Sequence, residues 1–276
     1  MKRRVLLWSG LLAVAYLLAL LFVWIREEHF AFEARPLTTS EAQAIAASFP
    51  AARSIRATAG DGTELHAWYL PANSAVASRR LLLYFGGESE QVHWLLARPQ
   101  ALAGWDLLLT DYRGYGLSQG RPSEAAIADD AALWLHMARE GQHTIARADR
   151  VVVMGTSMGG EVAAHLAATQ RVEGIALVVP YDSRVALLQA RLPIFPIRWI
   201  VRDRFETIAD ASKVHAPTIF FVAAHDAVVS AERSHRLYAQ WGSGSRTWVD
   251  LPNARHDTAG ADPLCWQRLS EFLHGL

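Results

Sequence analysis

The chain has 276 residues, which at roughly 100 to 200 residues per domain fits one large domain or two small ones. Its 27 basic and 27 acidic side chains cancel, so it lacks the basic excess that a nucleic-acid-binding surface carries, and that class of partner is not expected. With 51% hydrophobic and 20% charged residues it can bury a core along most of its length, and one cysteine, Cys265, excludes an internal disulfide or a zinc site built on several thiolates.

Lys2, Arg3 and Arg4 precede an apolar run from Val5 to Ile25, interrupted only by Ser9 and Gly10 and closed by Arg26, Glu27 and Glu28. At ~1.5 Å per residue the run covers about 30 Å, the hydrocarbon thickness of a bilayer. A buried core helix would show a polar face, and none is present. A cleavable signal peptide has a shorter apolar stretch and a small-residue cleavage site, whereas large and charged residues follow this run. The expectation is an uncleaved anchor over residues 1–28, transmembrane over about 5–25, with Trp8 and Trp24 near the two interfaces. Three basic residues before the run against one after it place the N-terminus in the cytoplasm and the remainder on the outer, periplasmic or lumenal, side.

A connector, 29–50, leads into a domain expected over 51–276. Ser54 to Ala59 and Glu64 to Leu70 alternate apolar and polar residues around Gly60-Asp61-Gly62, which predicts an antiparallel hairpin. Buried strands are predicted at Leu81 to Phe85, Asp106 to Thr110, Arg150 to Met154, Gly174 to Val179, Thr218 to Ala223 and Arg246 to Leu251. Helices are predicted at Ser123 to Arg139, Met158 to Gln170, Ala231 to Trp241 and Pro263 to His274. This alternation points to a mostly parallel sheet with helices on both faces and the hairpin at one edge. Tyr181 to Ala216 is too long for a simple connection and reads as a small lid. Its cluster of Leu187, Leu188, Leu192, Ile194, Phe195, Ile197, Trp199 and Ile200 suits either an acyl pocket or plain lid packing.

Gly155-Thr156-Ser157-Met158-Gly159 directly follows a predicted strand and opens a predicted helix. A sharp turn there lifts a serine hydroxyl above the sheet, and small flanking residues are needed where the two backbones nearly touch. A helix N-cap is the ordinary alternative use of such a serine. A serine nucleophile needs a base to take its proton and a carboxylate to hold that base, in the chain order Ser, acid, His. Asp226, just past a strand end, and His256, in the loop before the last helix, fill those places; Asp182 and Asp250 are the rival acids. For the developing oxyanion, the Met158 amide is one expected donor, and Phe85-Gly86-Gly87-Glu88 offers the Glu88 amide as the second. Asp111-Tyr112-Arg113-Gly114-Tyr115-Gly116 reads as a tight structural loop, and Cys265 as inert packing.

Taken together, Tyr84-Phe85-Gly86-Gly87, the Asp111 to Gly116 stretch leading to Gly120-Arg121-Pro122-Ser123-Glu124, the Gly-Thr-Ser-Met-Gly-Gly turn, Tyr181-Asp182-Ser183, Asp203-Arg204-Phe205 and His225-Asp226 resemble the α/β-hydrolases. The closer resemblance is to membrane-anchored serine hydrolases of the Bem46-like and ABHD type, over nearly everything after Ser54. It implies an α/β-hydrolase fold, a triad at Ser157, Asp226 and His256, and neither cofactor nor metal. Glu88 departs from the asparagine common in such relatives, and Ala254-Arg255 from a small residue followed by glycine. The leading expectation is a serine hydrolase that cleaves carboxylic esters, lipid or acyl esters among them. An amidase or peptidase would use the same triad, and a catalytically silent binding protein could be built on the same fold.

Overall fold

The computed structural model describes residues 2–72, 79–98 and 102–276. Its first element, α1 (Lys2–Ala31), holds a 19-residue stretch, Leu7–Ile25, long and apolar enough to cross a membrane, none of it buried against the rest of the chain. The side chains of Arg3 and of residues 26–31, which bear on the charge asymmetry around the apolar run, lie outside the described set.

The connector is an ordered arm stitched to the domain. Its helix α2 (Thr39–Ser48) starts with a capping box in which the Glu41 amide donates to the Thr38 hydroxyl and the Thr38 amide to the Glu41 carboxylate. The Leu37 amide donates to the Gly116 carbonyl at 2.7 Å and the Gly116 amide to the Arg35 carbonyl at 3.0 Å. Phe32 and Ile45 are buried in the domain. No strong hydrophobic period announces this helix, so the sequence suggested only a tether.

The domain is an eight-stranded sheet in the order β1-β2-β4-β3-β5-β6-β7-β8. The hairpin strands β1 (Arg53–Thr58) and β2 (Glu64–Leu70) are antiparallel and occupy one edge. β2 also pairs antiparallel with β4 (Asp106–Asp111). The remaining strands are parallel: β3 (Arg80–Phe85), β5 (Arg150–Thr156), β6 (Gly174–Val178), β7 (Thr218–Ala223) and β8 (Arg246–Leu251). The central strands are near-continuous apolar runs because helices cover both faces, so neither side of the pleat meets water. Leu81, Leu83 and Phe85 enter one core with residues of α3 (Glu124–Glu140), α4 (Met158–Thr169) and α8 (Ala231–Gln240). Leu82 and Tyr84 enter the other with Cys265 and Leu269 of α9 (Pro263–His274), Leu95 and Ile45. Leu82 is fully buried, and its truncation to alanine would cost about 2–5 kcal/mol.

Residues 181–216 form three short helices, α5 (Arg184–Arg191), α6 (Ile197–Ile200) and α7 (Thr207–Ala211). Val185, Ile197 and Val201 make a small separate cluster under this excursion. The predicted strands and helices recur with ends shifted by no more than two residues; the helices within 181–216 and a 3-10 turn at Val92–Ala97 were not anticipated.

Candidate active site

β5 runs into Ser157, which has φ +53 and ψ −117, and α4 begins at the next residue. That backbone is strained for an L-residue by ~1–3 kcal/mol and is held by surrounding contacts. The Ser157 amide donates to the Val178 carbonyl at 2.8 Å. The glycines of the turn permit backbone contact: a Cβ on Gly159 would lie 2.1 Å from the Phe85 carbonyl oxygen, and one on Gly155 only 2.0 Å from that of Gly159.

The hydroxyl of Ser157 lies 3.0 Å from His256 Nε2, and His256 Nδ1 lies 2.7 Å from Asp226 Oδ2. The other carboxylate oxygen, Oδ1, accepts from the Val228 and Val229 amides, each at 2.7 Å. The Asp226 side chain is 3% exposed and that of His256 20%, so the carboxylate is shielded while the imidazole edge faces the cavity. Both rival acids are engaged elsewhere. Asp182 accepts from Arg233 at 3.0 Å and faces Arg236 at 3.7 Å, and Asp250 accepts from the Trp248 indole at 2.8 Å.

Met158 and Glu88 supply amides that donate to no acceptor among the described residues. The Gly87 amide, by contrast, is taken by Glu90 Oε2 at 2.8 Å. Glu90 Oε1 also accepts from the Tyr84 hydroxyl and the Trp94 indole, both at 2.5 Å, so this carboxylate clamps the loop after β3. Tyr112 and Tyr115 brace the same loop from the other side by donating to the carbonyls of Gly86 at 2.9 Å and Glu88 at 2.5 Å. The Asp111 to Gly116 stretch therefore shapes the loop beside Ser157. Asp111 accepts from the Leu117 amide, and a Cβ on Gly116 would fall 1.9 Å from its carboxylate oxygen, so the tight loop tolerates only glycine there. Arg113 holds Asp130 through two bonds and also pairs with Asp61 of the hairpin. Burial raises the Glu88 carboxyl above the usual carboxylate range, and the Arg184 guanidinium 3.7 Å away partly offsets this.

A cavity of about 650 Å³ opens over the serine, lined by Glu88, Glu90, Trp94, Ser157, Val228 and His256 among others. None of the eight apolar residues singled out within 181–216 lines it: Ile197 and Ile200 are buried under that excursion, whereas Leu192, Ile194 and Trp199 face outward. A second cavity of about 490 Å³ between α3, α4 and α7 shares no lining residue with the first. Among the described residues no group of three or more His, Cys, Asp or Glu is placed to hold a metal ion. Cys265 is buried and its thiol is pushed up to about 12 by that burial, which leaves it protonated.

Sequence reasoning missed Glu90, Trp94 and His66. The signal for Glu90 is a carboxylate three residues after a glycine pair at a strand end, where it can fold back on a loop amide. His66 lies on β2, fully buried, with Nδ1 2.7 Å from Asp111 Oδ2 and Nε2 2.8 Å from the Ser54 hydroxyl. This second Ser-His-Asp chain ties the hairpin to the tyrosine loop. Ser54 belongs to a regular strand, where no helix N-terminus presents amides to its hydroxyl.

Residues 85–198 match the family model described as alpha/beta hydrolase fold. The chain is 32% identical over 212 residues to the uncharacterized protein MT2364 of Mycobacterium tuberculosis, covering 75% of this chain and 73% of that one. It is 26% identical over 223 residues to protein bem46 of Schizosaccharomyces pombe, covering 77% and 73%. Among solved structures, the esterase Pf2001 of Pyrococcus furiosus superposes with a TM-score of 0.65 at 15% identity, covering 87% of this chain and 95% of that one, which shows the shared fold.

Proposed function

The chain belongs to the α/β-hydrolase family, and from that premise we propose that it is a membrane-anchored serine hydrolase cleaving carboxylic esters through Ser157, His256 and Asp226. The observation that carries this reading is the continuous Ser157–His256–Asp226 hydrogen-bond chain at the mouth of a cavity, with two unengaged amides beside the serine. His256 Nε2 takes the Ser157 proton as the hydroxyl attacks the ester carbonyl. The oxyanion that forms rests on the Met158 and Glu88 amides, which are fixed by α4 and by the braced loop before charge develops. His256 then gives its proton to the departing alcohol. Water, deprotonated by the same nitrogen, releases the acid from the acyl-enzyme, while Asp226 holds the Nδ1–H tautomer and steadies the imidazolium. An amide would be cleaved through the same steps; alcohols leave more readily than amines, which favours the ester.

The anchoring reading is supported by the apolar stretch of α1, 19 residues with no buried face, and by the basic residues that precede it. It puts the hydrolase domain outside the cytoplasm and the excursion 181–216 beside the membrane as a lid. Purified full-length protein in detergent, treated with a fluorophosphonate probe and assayed on p-nitrophenyl acetate, should label at Ser157 and turn over. Absence of both would leave the fold with a binding role.

A further inference from the structure

Outside α1, the large apolar side chains exposed among the described residues are Leu192 at 37%, Ile194 at 72%, Trp199 at 74% and Val228 at 40%. Three sit at the tip of the lid; the fourth is on the rim of the cavity over Ser157, its carbonyl within 3.5 Å of the lid's Arg191 guanidinium. This one patch is also continuous with the anchor. The Tyr16 hydroxyl donates to the Ile194 carbonyl at 2.8 Å and its ring stacks on Phe195 at 5.9 Å, while Arg202 donates to the Trp24 carbonyl and lies 5.3 Å from its ring.

These contacts set a depth. Tyr16 precedes Trp24 by eight residues, about 12 Å along a helix. With Trp24 at the water boundary, the segment touching Tyr16 lies about 12 Å below it, within one leaflet of a ~30 Å hydrocarbon core. Backbone at that depth must satisfy its own polar groups, because no water is present to do so. Every carbonyl from Leu192 to Ile197 accepts a hydrogen bond: the Gln189 amide reaches those of Leu192, Pro193 and Phe195, Tyr16 takes that of Ile194, and the amides of Trp199 and Val201 take those of Pro196 and Ile197. Prolines at 193 and 196 remove two donors altogether. The closure is one of the carbonyls, since the Ile194 amide donates to no acceptor among the described residues, and a water-facing loop has no need even of that much. The exposed arginines are placed to match: Arg202 stands at the level of Trp24, and Arg198 lies 4.7 Å over the Trp199 ring, where a long stem can carry its charge up to phosphates.

We propose that residues 192–199 are a wedge embedded in the acyl chains of the leaflet beside α1, so that the cavity rim at Val228 meets lipid and the ester enters Ser157 from the membrane. This rests on the anchoring reading and is testable apart from it. In full-length protein reconstituted into phosphatidylcholine–phosphatidylglycerol vesicles, buried Cys265 leaves introduced cysteines as the reactive ones. Nitroxides at Ile194→Cys and Trp199→Cys should relax with dissolved oxygen in preference to a water-soluble nickel complex, as Leu12→Cys does. Ser245→Cys, beyond the opposite ends of the strands, should show the reverse. Lid nitroxides that behave like Ser245→Cys while Leu12→Cys reads lipid overturn the wedge and leave the anchor; an aqueous reading at Leu12→Cys overturns both. These depths do not depend on activity. For entry, Ile194→Asp with Trp199→Asp should lower hydrolysis of a long-chain p-nitrophenyl ester dissolved in the vesicles about tenfold, with p-nitrophenyl acetate unchanged. An equal fall on both esters, or on neither, refutes entry through the leaflet.

Discussion

Replacing Asp226 by asparagine tests the chemistry most directly, because the structure dictates how the new side chain must lie. The Val228 and Val229 amides both donate to Asp226 Oδ1, so an asparagine has to put its oxygen there and turn its NH2 toward His256. An NH2 group 2.7 Å from Nδ1 donates, which forces Nδ1 bare and puts the imidazole proton on Nε2. Nε2 then faces the Ser157 hydroxyl as a donor and can no longer take its proton. The corresponding change in serine proteases of the chymotrypsin class lowers turnover ~10⁴-fold, which at 1.36 kcal/mol per tenfold is about 5.5 kcal/mol of barrier. Both amide bonds to the loop survive, so the thermal midpoint should move little. Turnover of p-nitrophenyl acetate and the rate of fluorophosphonate labelling should fall together, and Asp182→Asn should leave both within a few-fold of the parent. A loss below about tenfold, or a larger loss for Asp182→Asn, refutes the assignment of the acid.

Both Ser157→Ala and Ser157→Gly should abolish labelling and ester turnover, but only glycine relieves the φ of +53, so its urea midpoint should correspond to about 1 kcal/mol of added stability. Gly159→Ala pushes a Cβ to 2.1 Å from the Phe85 carbonyl, so the strand end and helix must part by about 1 Å, costing about 1–3 kcal/mol in denaturant and ~10²-fold in turnover through the displaced oxyanion loop. Glu161, buried on α4 with its pKa raised by that burial, holds its proton more tightly in the native state, so its stability contribution is full below the unfolded pKa of about 4.3 and is lost as pH rises through the raised native value. Glu161→Gln escapes that loss, so its advantage in thermal midpoint over the parent should widen from pH 5 toward pH 8, and an offset independent of pH would refute the argument.

What could be read from the residues alone was what local backbone chemistry encodes. β3, β5 and β7 are short unbroken apolar runs because both faces are covered, and the serine turn shows itself through glycines needed where α4 touches β3. Asp226 and His256, proposed as acid and base, stood out through their positions after strands, and the structure brings them within 2.7 Å of each other. Features that depend on one surface meeting another were not. The Glu90 clamp, the His66–Asp111 pair and the tyrosine braces join segments up to 45 residues apart through single side chains that leave no periodic trace. The outward turn of Leu192, Ile194 and Trp199 was hidden for a related reason: α6 is one turn long, too short for a hydrophobic period to separate its inner residues Ile197 and Ile200 from Trp199.

The proposal of Asp226 as the acid rests on a competition for carboxylates at the strand ends. Ser157 follows β5, and the next strand, β6, carries Asp182 just past its end, closer in the sheet than Asp226 after β7. α8 brings Arg233 and Arg236 onto Asp182, and the Ser183 amide donates to it as well, so that carboxylate is committed to fastening the start of the 181–216 excursion. Among the described residues Asp226 meets no lysine or arginine in this way; its partners are two amides and one imidazole, which orient a carboxylate without neutralising it. The histidine must then reach back from beyond β8, three strands from β5 and roughly 14 Å at ~4.8 Å per strand. The β7–β8 ladder is carried past the strands to support that reach, with the Ala224 amide donating to the Leu251 carbonyl at 3.1 Å and the His225 amide to that of Ala254 at 3.0 Å. Asp226 and His256 thus ride on one extended ladder and keep a fixed separation. The Ser157 turn and the loop after β3 are fixed to each other by direct backbone contact at Gly159, which leaves the 3.0 Å Ser157–His256 contact as the joint between the two halves of the proposed site. That is the joint across which the proposed mechanism moves its proton.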